Sequence, residues 1–550
     1  MPLNPDASRQ LLDYHERTKH HLHRFARSAG YMDWDNQPAP FRTYAGARNL
    51  ALPLSTTEPT LDYAELFEPV SNTPAPMRFD TLGTLFEFSL ALSAWKAIPG
   101  QRWALRINPS SGNLHPTEAH VITLGLAGLS DGIYHYHPYA HALEERAVIP
   151  PSRTRVLERH VRPPCLLVAL STIFWREAWK YGERAFRYCQ HDIGHALAAL
   201  GLASRLLGWR LTVLAAADDT IAAAFGFDRT PWPPGEAEAP ALVAAIRPAS
   251  GDTARRSFPS EAAAALADLP ILGRPNPLSA LRRDWDIIGI AAAASRQDRV
   301  PESAALPAHS PAVHYPAPAT EKAARIIRQR RSAQAFDPNG QLERAAFLGL
   351  LDRTRPRSSR PPFDAGLGPA HISLVLFVHR VRQTPPGLYA FVRHPDHLES
   401  LRGTLSGTFR WEPAAPGLPL YLLEPGDLRA EAMDLSCRQE IAGWGTFALG
   451  MLARFAPVVQ ERPWAYRQLF WEAGLIGQVL YLEAEAQGVR GTGIGCYFDD
   501  PVHDRLGLKN QDWQSLYHFT IGVPREDRRL QTLPPYFHLA PQREGSDENA

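Results

Sequence analysis

Two segments of equal length decide the fold: YGERAFRYCQHDIGHALAALGLASRLLGWR at Tyr181–Arg210, and ERPWAYRQLFWEAGLIGQVLYLEAEAQGVR at Glu461–Arg490. They align without gaps, and each copy ends in a glycine, Gly208 in the first and Gly488 in the second. Apolar residues recur at three- and four-residue spacing on more than one side, which predicts a long, deeply buried helix ended by that glycine. A helix of this kind belongs at a domain centre or an interface.

Two shorter strings repeat in the same order. GIYHY at Gly132–Tyr136 is echoed by GLYAF at Gly387–Phe391, and PSSGNLHP at Pro109–Pro116 is echoed by PFDAGLGP at Pro362–Pro369. The longer string precedes an apolar run of strand composition in both copies. Because a repeat of this order indicates duplicated structure, the sequence predicts two homologous α+β domains.

The amino-acid composition of the segments between the two repeats indicates where the predicted domains begin and end. Residues 301–318 are rich in Pro and Ala without periodicity, which is typical of a linker. The predicted parts are an N-terminal extension (1–74), a first domain (75–250), a connecting segment with the linker (251–319), a second domain (320–530) and a C-terminal tail (531–550).

Charge and hydropathy exclude several classes of protein. The chain has 550 residues, 45% of them hydrophobic, and a net charge of +1. No basic stripe suggests nucleic-acid binding, no apolar stretch is long enough to span a membrane, and the N-terminus has no signal-peptide core. We therefore expect a cytoplasmic protein without a nucleic-acid or membrane partner.

The potential metal ligands do not form a pattern. The four cysteines, Cys165, Cys189, Cys437 and Cys496, are far apart in sequence and are interpreted as reduced, mostly buried thiols. The histidines at positions 20, 21 and 23 are more typical of a solvated helix face than of a metal site. No metal is expected.

Several strings together resemble a known family. DWDNQPAPFRTYAG at 33–46, the PSSGNLHP segment, KYGERAFRY at 180–188 and GTGIGCYFDDPVHDRLGL at 491–508 are similar to the SagB/ThcOx-type branch of the nitroreductase superfamily. That branch comprises dehydrogenases associated with oxidising azoline rings in modified peptides. The resemblance implies two tandem nitroreductase-like domains that form an intramolecular pseudo-dimer, with helices beginning near Tyr188 and Leu469 at the seam and FMN in the groove.

The resemblance also implies a phosphate-side element in IIRQRRSAQAFD. Arg330, Arg331 and Ser332 match the family's Arg-x-Ser-x-Arg pattern, whose guanidinium group binds phosphate as a charged fork. The last position is Gln334, where the family has Arg, so one expected contact is weakened. The alternative interpretation is an amphipathic helix end with solvated arginines.

Three further segments complete the implied flavin site. A loop of small residues faces the flavin ring in the family, and a Gly-rich turn at 491–495 lets the chain pass beside the phosphate. The basic residues after Pro524 resemble those that close the phosphate pocket. The implied cofactor-binding residues in these segments are Pro109, Ser110, Ser111, Gly112, Asn113, Gly493, Gly495 and Arg528.

These pieces are divided between the two copies. The Arg-Ser element and the GTGIG turn occur in the second domain, whereas the intact PSSGN loop occurs in the first. Neither half therefore holds a complete pocket. We expect one FMN per chain and a second pseudo-symmetric pocket that has lost it.

Lys180 and Tyr181 resemble the catalytic Lys-Tyr pair of the branch, although a solvated Lys and a packed Tyr are the ordinary reading of such a dipeptide. Three functions stay open: an FMN-dependent dehydrogenase of a peptide or azoline-like substrate, an NAD(P)H-dependent reductase of nitro compounds or quinones, and a non-catalytic flavin-binding scaffold. NAD(P)H is a candidate electron donor. The natural substrate, the acceptor, partner proteins and oligomerisation beyond the pseudo-dimer are not determined by the sequence.

Overall fold

The computed structural model describes residues 5–249, 256–298 and 321–539. The predicted linker at 301–318 and the last residues of the predicted tail lie outside the described residues.

The first half of the chain contains eight described helices and eleven strands. The helices are α1 (Pro5–Arg17), α2 (Phe79–Glu87), α3 (Pro151–Glu158), α4 (Phe174–Tyr181), α5 (Ala185–Leu206), α6 (Asp218–Phe225), α7 (Ser260–Ala264) and α8 (Asp286–Ala294). The strands are β1 (Tyr44–Ala45), β2 (Asn49–Ala51), β3 (Leu92–Ile98), β4 (Gln101–Arg106), β5 (Thr117–Leu124), β6 (Gly132–His137), β7 (Ala142–Val148), β8 (Cys165–Thr172), β9 (Trp209–Leu214), β10 (Ala239–Pro248) and β11 (Arg274–Pro275).

The second half contains eight described helices and eight strands. The helices are α9 (Ala323–Gln329), α10 (Arg344–Arg353), α11 (His397–Thr404), α12 (Arg429–Leu435), α13 (Ile441–Trp444), α14 (Ala456–Glu461), α15 (Ala465–Ala486) and α16 (Asp499–Leu506). The strands are β12 (Ile372–Val378), β13 (Gly387–Phe391), β14 (Glu412–Pro413), β15 (Leu420–Pro425), β16 (Phe447–Arg454), β17 (Arg490–Ile494), β18 (Trp513–Gly522) and β19 (Gln531–Leu533).

Each half is built on a seven-stranded antiparallel sheet. The strand order is β2-β7-β6-β5-β8-β10-β9 in the first and β14-β15-β13-β12-β16-β18-β17 in the second. The repeated strings occupy equivalent strands, since GIYHY lies in β6 and GLYAF forms β13. The prediction of two tandem α+β domains is confirmed.

The two long helices pack against each other at a pair of glycines. A Cβ atom on Gly194 of α5 would lie 2.1 Å from the carbonyl oxygen of Trp471, and a Cβ on Gly474 of α15 would lie 2.1 Å from that of His191. No side chain fits between the helices here, so their backbones are in contact. Both helices are followed by a glycine with φ of +69°, Gly208 and Gly488, as the sequence predicts. The seam of the pseudo-dimer is therefore the predicted one.

The expectation of a Gly-rich turn at 491–495 is wrong. Residues 490–494 form the edge strand β17, which pairs with β18 and is followed by the irregular segment that carries Gly495. Its glycines are tolerated because aromatic rings of β18 and α15 cover them, with Phe519 against Gly491 and Tyr517 against Gly493.

Segments outside the predicted domain boundaries also join the sheets and cores. β2, from the predicted N-terminal extension, adds an edge strand to β7. β19, from the predicted tail, pairs with β3 of the first half. Helix α9 of the second half contributes Ala323 and Ile327 to a core that is otherwise formed mainly by the first half. The halves are thus tied together by exchanged segments as well as by the helical seam.

The described residues contain neither a membrane-spanning helix nor a metal-binding cluster. None of these helices is long and apolar enough to cross a membrane. Within the same residues, no group of three or more His, Cys, Asp or Glu side chains is arranged to hold a metal ion.

Candidate functional site

A cavity of about 410 Å³ lies between the two halves. The first half contributes the loop at 109–113 and the N-terminal part of α5, while the second contributes residues 330–334, β17 and the segment after Pro524. Most residues predicted from the sequence line it, namely Pro109, Ser110, Ser111, Gly112, Asn113, Tyr181, Arg330, Arg331, Ser332, Gln334, Gly493 and Gly495.

Two predicted residues do not line the cavity. Arg528 is exposed, because residues 527–530 form a turn in which the Leu530 N–H donates to the Asp527 carbonyl at 3.1 Å. Arg525 lines the cavity instead. Lys180 lies just behind the wall, since a Cβ on Gly112 would be 3.2 Å from its Nζ.

Two adjacent arginines form the cationic side of the cavity. Arg330 is buried, and its Nη2 donates to the main-chain carbonyls of Arg106 at 2.9 Å and Ile107 at 3.2 Å. Arg331 donates through Nη2 to the Ser93 carbonyl at 2.9 Å. Burial lowers the pKa of both, and the neighbouring Arg330 charge contributes to bringing that of Arg331 to about 10.

Neither arginine forms an ion pair with a described residue, although the more distant Glu485 carboxylate partly opposes the lowering of the pKa of both. Among the described residues, no Asp or Glu oxygen lies within 4.0 Å of the Arg330 or Arg331 guanidinium, whereas Arg490 at the same cavity pairs with Glu526 at 2.5 Å. The buried Nε of Arg330 has no hydrogen-bond partner. Burying a cation without a partner is costly, so this wall is suited to an anionic ligand.

A hydroxyl network joins the Arg-Ser element to β17. Ser332 Oγ donates to the hydroxyl of Tyr481 at 2.9 Å, and the same hydroxyl accepts the Gly493 N–H at 2.9 Å. The main chain is also linked, because the Ala333 N–H donates to the Gly491 carbonyl at 3.1 Å. The phosphate-side element and the glycine strand predicted from sequence are therefore neighbours.

Residues in and just after the loop at 109–113 adopt left-handed backbone conformations. Gly112 has φ of +60°, and two following non-glycine residues, Asn113 and His115, have φ of +61° and +53°. The bend is held by Asn113 Nδ2 donating to the Ala104 carbonyl at 2.9 Å and by the His115 N–H donating to Ser110 Oγ at 2.8 Å. Left-handed non-glycine residues cluster at functional sites, because the surroundings must compensate their strain.

A buried carboxyl pair lies beneath this loop. Asp192 Oδ1 accepts the Ser111 N–H at 3.2 Å, and Glu177 Oε1 is 3.5 Å from Ser110 Oγ. Burial raises the pKa of Asp192 to about 7 and that of Glu177 well above its usual range, with the Asp192 charge adding to the latter. A carboxyl group with a pKa near neutrality can accept or donate a proton at neutral pH.

Sequence reasoning missed the α5 residues that line the cavity. Tyr188, Asp192 and His195 follow one another at spacings of four and three residues, which places them on one face of α5. Polar residues at helical spacing inside an otherwise apolar, buried helix were the available signal.

Comparison with known proteins identifies the fold. A solved structure from Anabaena variabilis, assigned as a nitroreductase, superposes with a TM-score of 0.66 at 20% identity, covering 94% of this chain and 99% of the other. The chain has this fold. No family model matches the sequence.

Two relatives match parts of the tandem chain. A protein of Methanocaldococcus jannaschii assigned as a nitroreductase is 27% identical over 139 residues, which is 23% of this chain and 65% of the relative. The trifolitoxin-processing protein TfxB of Rhizobium leguminosarum bv. trifolii is 33% identical over 109 residues, which is 18% of this chain. The chain spans 65% and 29% of the lengths of these two relatives.

The tandem nitroreductase fold generates a second, pseudo-symmetric site, and it is closed. The loop equivalent to 109–113 packs directly on α5 and β9, with the Pro362 side chain 3.7 Å from the position of a Cβ on Gly201. Phe363 fills space beside α15, and the Arg393 guanidinium lies 5.3 Å from its ring centre. Cavities of only about 40 and about 10 Å³ remain.

Proposed function

We propose that this chain is an FMN-dependent oxidoreductase that acts on a peptide or azoline-like substrate. FMN would supply hydride transfer at its N5 atom. The observation that carries the proposal is a pair of adjacent arginines, the buried Arg330 and the half-buried Arg331, which line an inter-domain cavity of a nitroreductase fold without an ion pair to any described residue within 4.0 Å.

The residues present fit the phosphate end of FMN. A phosphate monoester would give Arg330 and Arg331 a direct ion-pair partner, which no described carboxylate offers within 4.0 Å, and would give the buried Arg330 Nε an acceptor. The Ser332 hydroxyl lies beside them. The exposed Gln334 side chain can hydrogen-bond a polar ligand edge, although it lacks the charge of the family's Arg.

The same cavity fits a planar ring. Its volume of about 410 Å³ lies in the range of ligand-binding pockets. Gly493 makes room for the Tyr517 side chain, which also lines the cavity, because a Cβ there would lie 1.9 Å from the Tyr517 hydroxyl. Since the pseudo-symmetric cavities are about 40 and about 10 Å³, we expect one FMN per chain.

Proton transfer is assigned to groups around the Gly112 loop. Oxidising an azoline removes a hydride from one carbon and a proton from its neighbour, so a base is required. Burial raises the pKa of Tyr181 well above its usual range, so its phenol stays protonated at neutral pH and acts as a hydrogen-bond donor. Asp192, with a pKa of about 7, is the better candidate for the proton acceptor, and Lys180 lies behind the same loop.

A peptide substrate is favoured by three exposed aromatic side chains in the segment between α1 and β1. Phe25, Tyr31 and Trp34 are 53%, 71% and 67% exposed, and the Trp34 ring packs edge-on against Trp179 at 5.4 Å. Exposed aromatic groups in close succession mark interaction surfaces. The relative TfxB, named for processing trifolitoxin, supports a modifying role over the reduction of simple nitro compounds.

Cofactor binding is tested by titrating the purified chain with FMN and assaying the flavin released on denaturation. We expect one flavin per chain, and Arg330→Ala should weaken binding by about 10- to 100-fold, since charge-assisted hydrogen bonds contribute about 1.5–3 kcal/mol. The matched control is Arg325→Ala on α9, which removes only an exposed pair with Glu321. Two flavins per chain, none, or equal effects of both variants would contradict the proposal.

Activity is tested with an azoline-containing peptide. Lys180→Ala, Tyr181→Phe and Asp192→Asn should keep FMN but lower turnover, and unchanged turnover in all three would refute the proton-transfer roles. Rapid bleaching of flavin absorbance by NAD(P)H, with reoxidation by nitroaromatics and no azoline oxidation, would instead establish the reductase alternative. Flavin that no donor reduces would establish a scaffold.

A further inference from the structure

Cys437 and Cys496 form a thiol pair at the rim of the cavity. Their sulfur atoms are 2.7 Å apart, although the residues are separated widely in sequence, and Cys496 lines the cavity. Both are partly exposed, whereas Cys165 and Cys189 are buried. The expectation of dispersed, mostly buried thiols is therefore wrong for this pair, because it was based on sequence spacing alone.

The backbone holds the two cysteines against each other. The Phe498 N–H donates to the Leu435 carbonyl at 2.9 Å, and Gln439 Nε2 donates to the Cys496 carbonyl at 2.9 Å. These hydrogen bonds join the two segments that carry the cysteines, within two residues of each sulfur atom. The sulfur atoms, 2.7 Å apart, therefore lie close to the bonding distance of about 2.05 Å.

Cys437 lies in an unusual backbone conformation. Cys437 and Arg438 are consecutive non-glycine residues with φ of +53° and +60°. This region is sparsely populated for residues with a Cβ, and such residues persist where the surroundings enforce them, often at functional sites. Here the left-handed bend follows the end of α12 and presents Cys437 to Cys496.

The surroundings distinguish the two thiols. The hydrogen bond from Cys437, with contributions from His20 and Arg184, brings the pKa of Cys496 to about 5. The Arg184 guanidinium also donates to the Gly495 carbonyl at 3.3 Å, next to this cysteine. The pKa of Cys437 is raised, first by its hydrogen bond to Cys496 and then by burial. The positions of His20 and Arg184 beside Cys496 favour this residue as the attacking thiolate and Cys437 as the second thiol.

We propose that Cys437 and Cys496 are a redox-active dithiol that exchanges with low-molecular-weight disulfides at the rim of the cavity. The Cys496 thiolate attacks one sulfur of glutathione disulfide, forms a mixed disulfide and expels one glutathione thiolate. Cys437 loses its proton to that thiolate, attacks the Cys496 sulfur and expels the second glutathione. Starting from the Cys496 thiolate, the protein loses two electrons and one proton, and the glutathione disulfide becomes one thiol and one thiolate, which takes up a proton from solvent.

The disulfide would join the segment after α12 to the segment after β17. Because Gly495 and Cys496 form part of the cavity wall, this link would fix one side of the ligand site. The proposal does not depend on FMN, since the exchange uses only the two cysteines and an external disulfide.

The test uses the full chain in glutathione buffers of graded redox poise, followed by alkylation of free thiols and peptide mapping. We expect Cys437 and Cys496 to lose reactivity together and to appear as one cross-linked peptide pair, reversibly on reduction. Persistent alkylation of both in oxidising buffer, or loss of one without the other, would overturn the proposal.

Variants separate the roles of the two thiols. Cys437→Ser should trap a mixed disulfide of glutathione at Cys496, whereas Cys496→Ser should react at Cys437 about tenfold more slowly, because its thiol is mostly protonated. Cys189→Ser, on buried α5, is the control and should leave the cross-link unchanged. Equal reactivity of the two rim variants, with native circular dichroism, would refute the assignment.

Discussion

The two pseudo-symmetric sites of the tandem are built from equivalent elements, but one is an open cavity and the other is filled by protein side chains. At the open site, Ser110 of the 109–113 loop lines a cavity of about 410 Å³, and Asp192 of α5 has no cationic partner within 4.0 Å among the described residues. At the closed site, Phe363 occupies the position of Ser110, and Glu472 occupies that of Asp192 and pairs with Arg393 at 2.5 Å.

The difference shows how the second of two equivalent pockets can be filled and become part of the hydrophobic core. An aromatic ring replaces a hydroxyl, and an ion pair neutralises a carboxylate that is left unpaired at the other site. Both changes replace ligand contacts by contacts within the protein. The open site keeps charges and strained backbone that stability alone does not favour, which is the usual signature of a functional site.

The largest expected effect comes from copying the closed site into the open one. Ser110→Phe should weaken FMN binding by about 100-fold or more, equivalent to about 2.7 kcal/mol, because the ring would take up space in the cavity. Flavin titration followed by fluorescence measures this change.

The reciprocal exchange is the control. Phe363→Ser should cost about 3 kcal/mol of unfolding free energy through lost packing. The stoichiometry should stay at one flavin, since the two arginines that line the larger cavity at the closed site, Arg357 and Arg393, are already paired with carboxylates. Undiminished affinity in Ser110→Phe, or a second flavin in Phe363→Ser, would show that these two positions do not decide the asymmetry.

A smaller effect is expected at the helix crossing that both sites share. Gly194→Ala should lower the free energy of unfolding by about 1–3 kcal/mol, because its Cβ would meet the Trp471 carbonyl oxygen at 2.1 Å. The measurement is urea unfolding of the flavin-free chain.

Gly201→Ala on the same helix is the matched control. Its nearest neighbour would be 3.7 Å away, so the general gain of about 0.5–1 kcal/mol for replacing a helical glycine should apply. If both variants gain stability, the backbone contact between α5 and α15 does not exist in solution.

The most gradual effect is a dependence of stability on pH. Because burial raises the pKa of Asp192 to about 7, the fold favours its protonated form, and the associated stability is present below about pH 4 and lost as the pH rises to about 7. The free energy of unfolding of the wild type, relative to that of Asp192→Asn, should therefore fall over this range, at a slope of up to about 1.4 kcal/mol per pH step of one.

Removing the carboxylate of the closed site should change the free energy of unfolding in the opposite direction. At pH 8, Asp192→Asn removes an unpaired buried charge and should not destabilise the chain, whereas Glu472→Gln breaks the ion pair with Arg393 and should destabilise it. Chemical unfolding at pH 4 and pH 8 compares them. Parallel profiles for the wild type and Asp192→Asn would contradict the raised pKa.

Most of the fold could be predicted from the repeats. The helices containing Gly194 and Gly474 and the strands from GIYHY and GLYAF have strong local signals, and the structure confirms them. The glycine segment at 491–495 could not be placed as a strand, because glycine lacks strand propensity and its pairing with β18 is a tertiary contact.

The site could be predicted only where a family string existed. Arg330 and the 109–113 loop were found in this way. Asp192 and Glu177 were not, since their proximity arises from packing of α4 and α5 beneath the loop. The rim pair of Cys437 and Cys496 was also missed, because no sequence spacing reports a contact between distant loops.

By itself, the sequence determined that two similar α+β units follow one another, because periodicity and repeated strings are local properties, and the family resemblance of a local string indicated which residues could bind an anion. The tertiary structure alone decided that one groove stays open and its twin closes, that two carboxyl groups share a buried wall, and that two cysteines meet. These depend on contacts between segments far apart in the chain, whose energies no local pattern encodes.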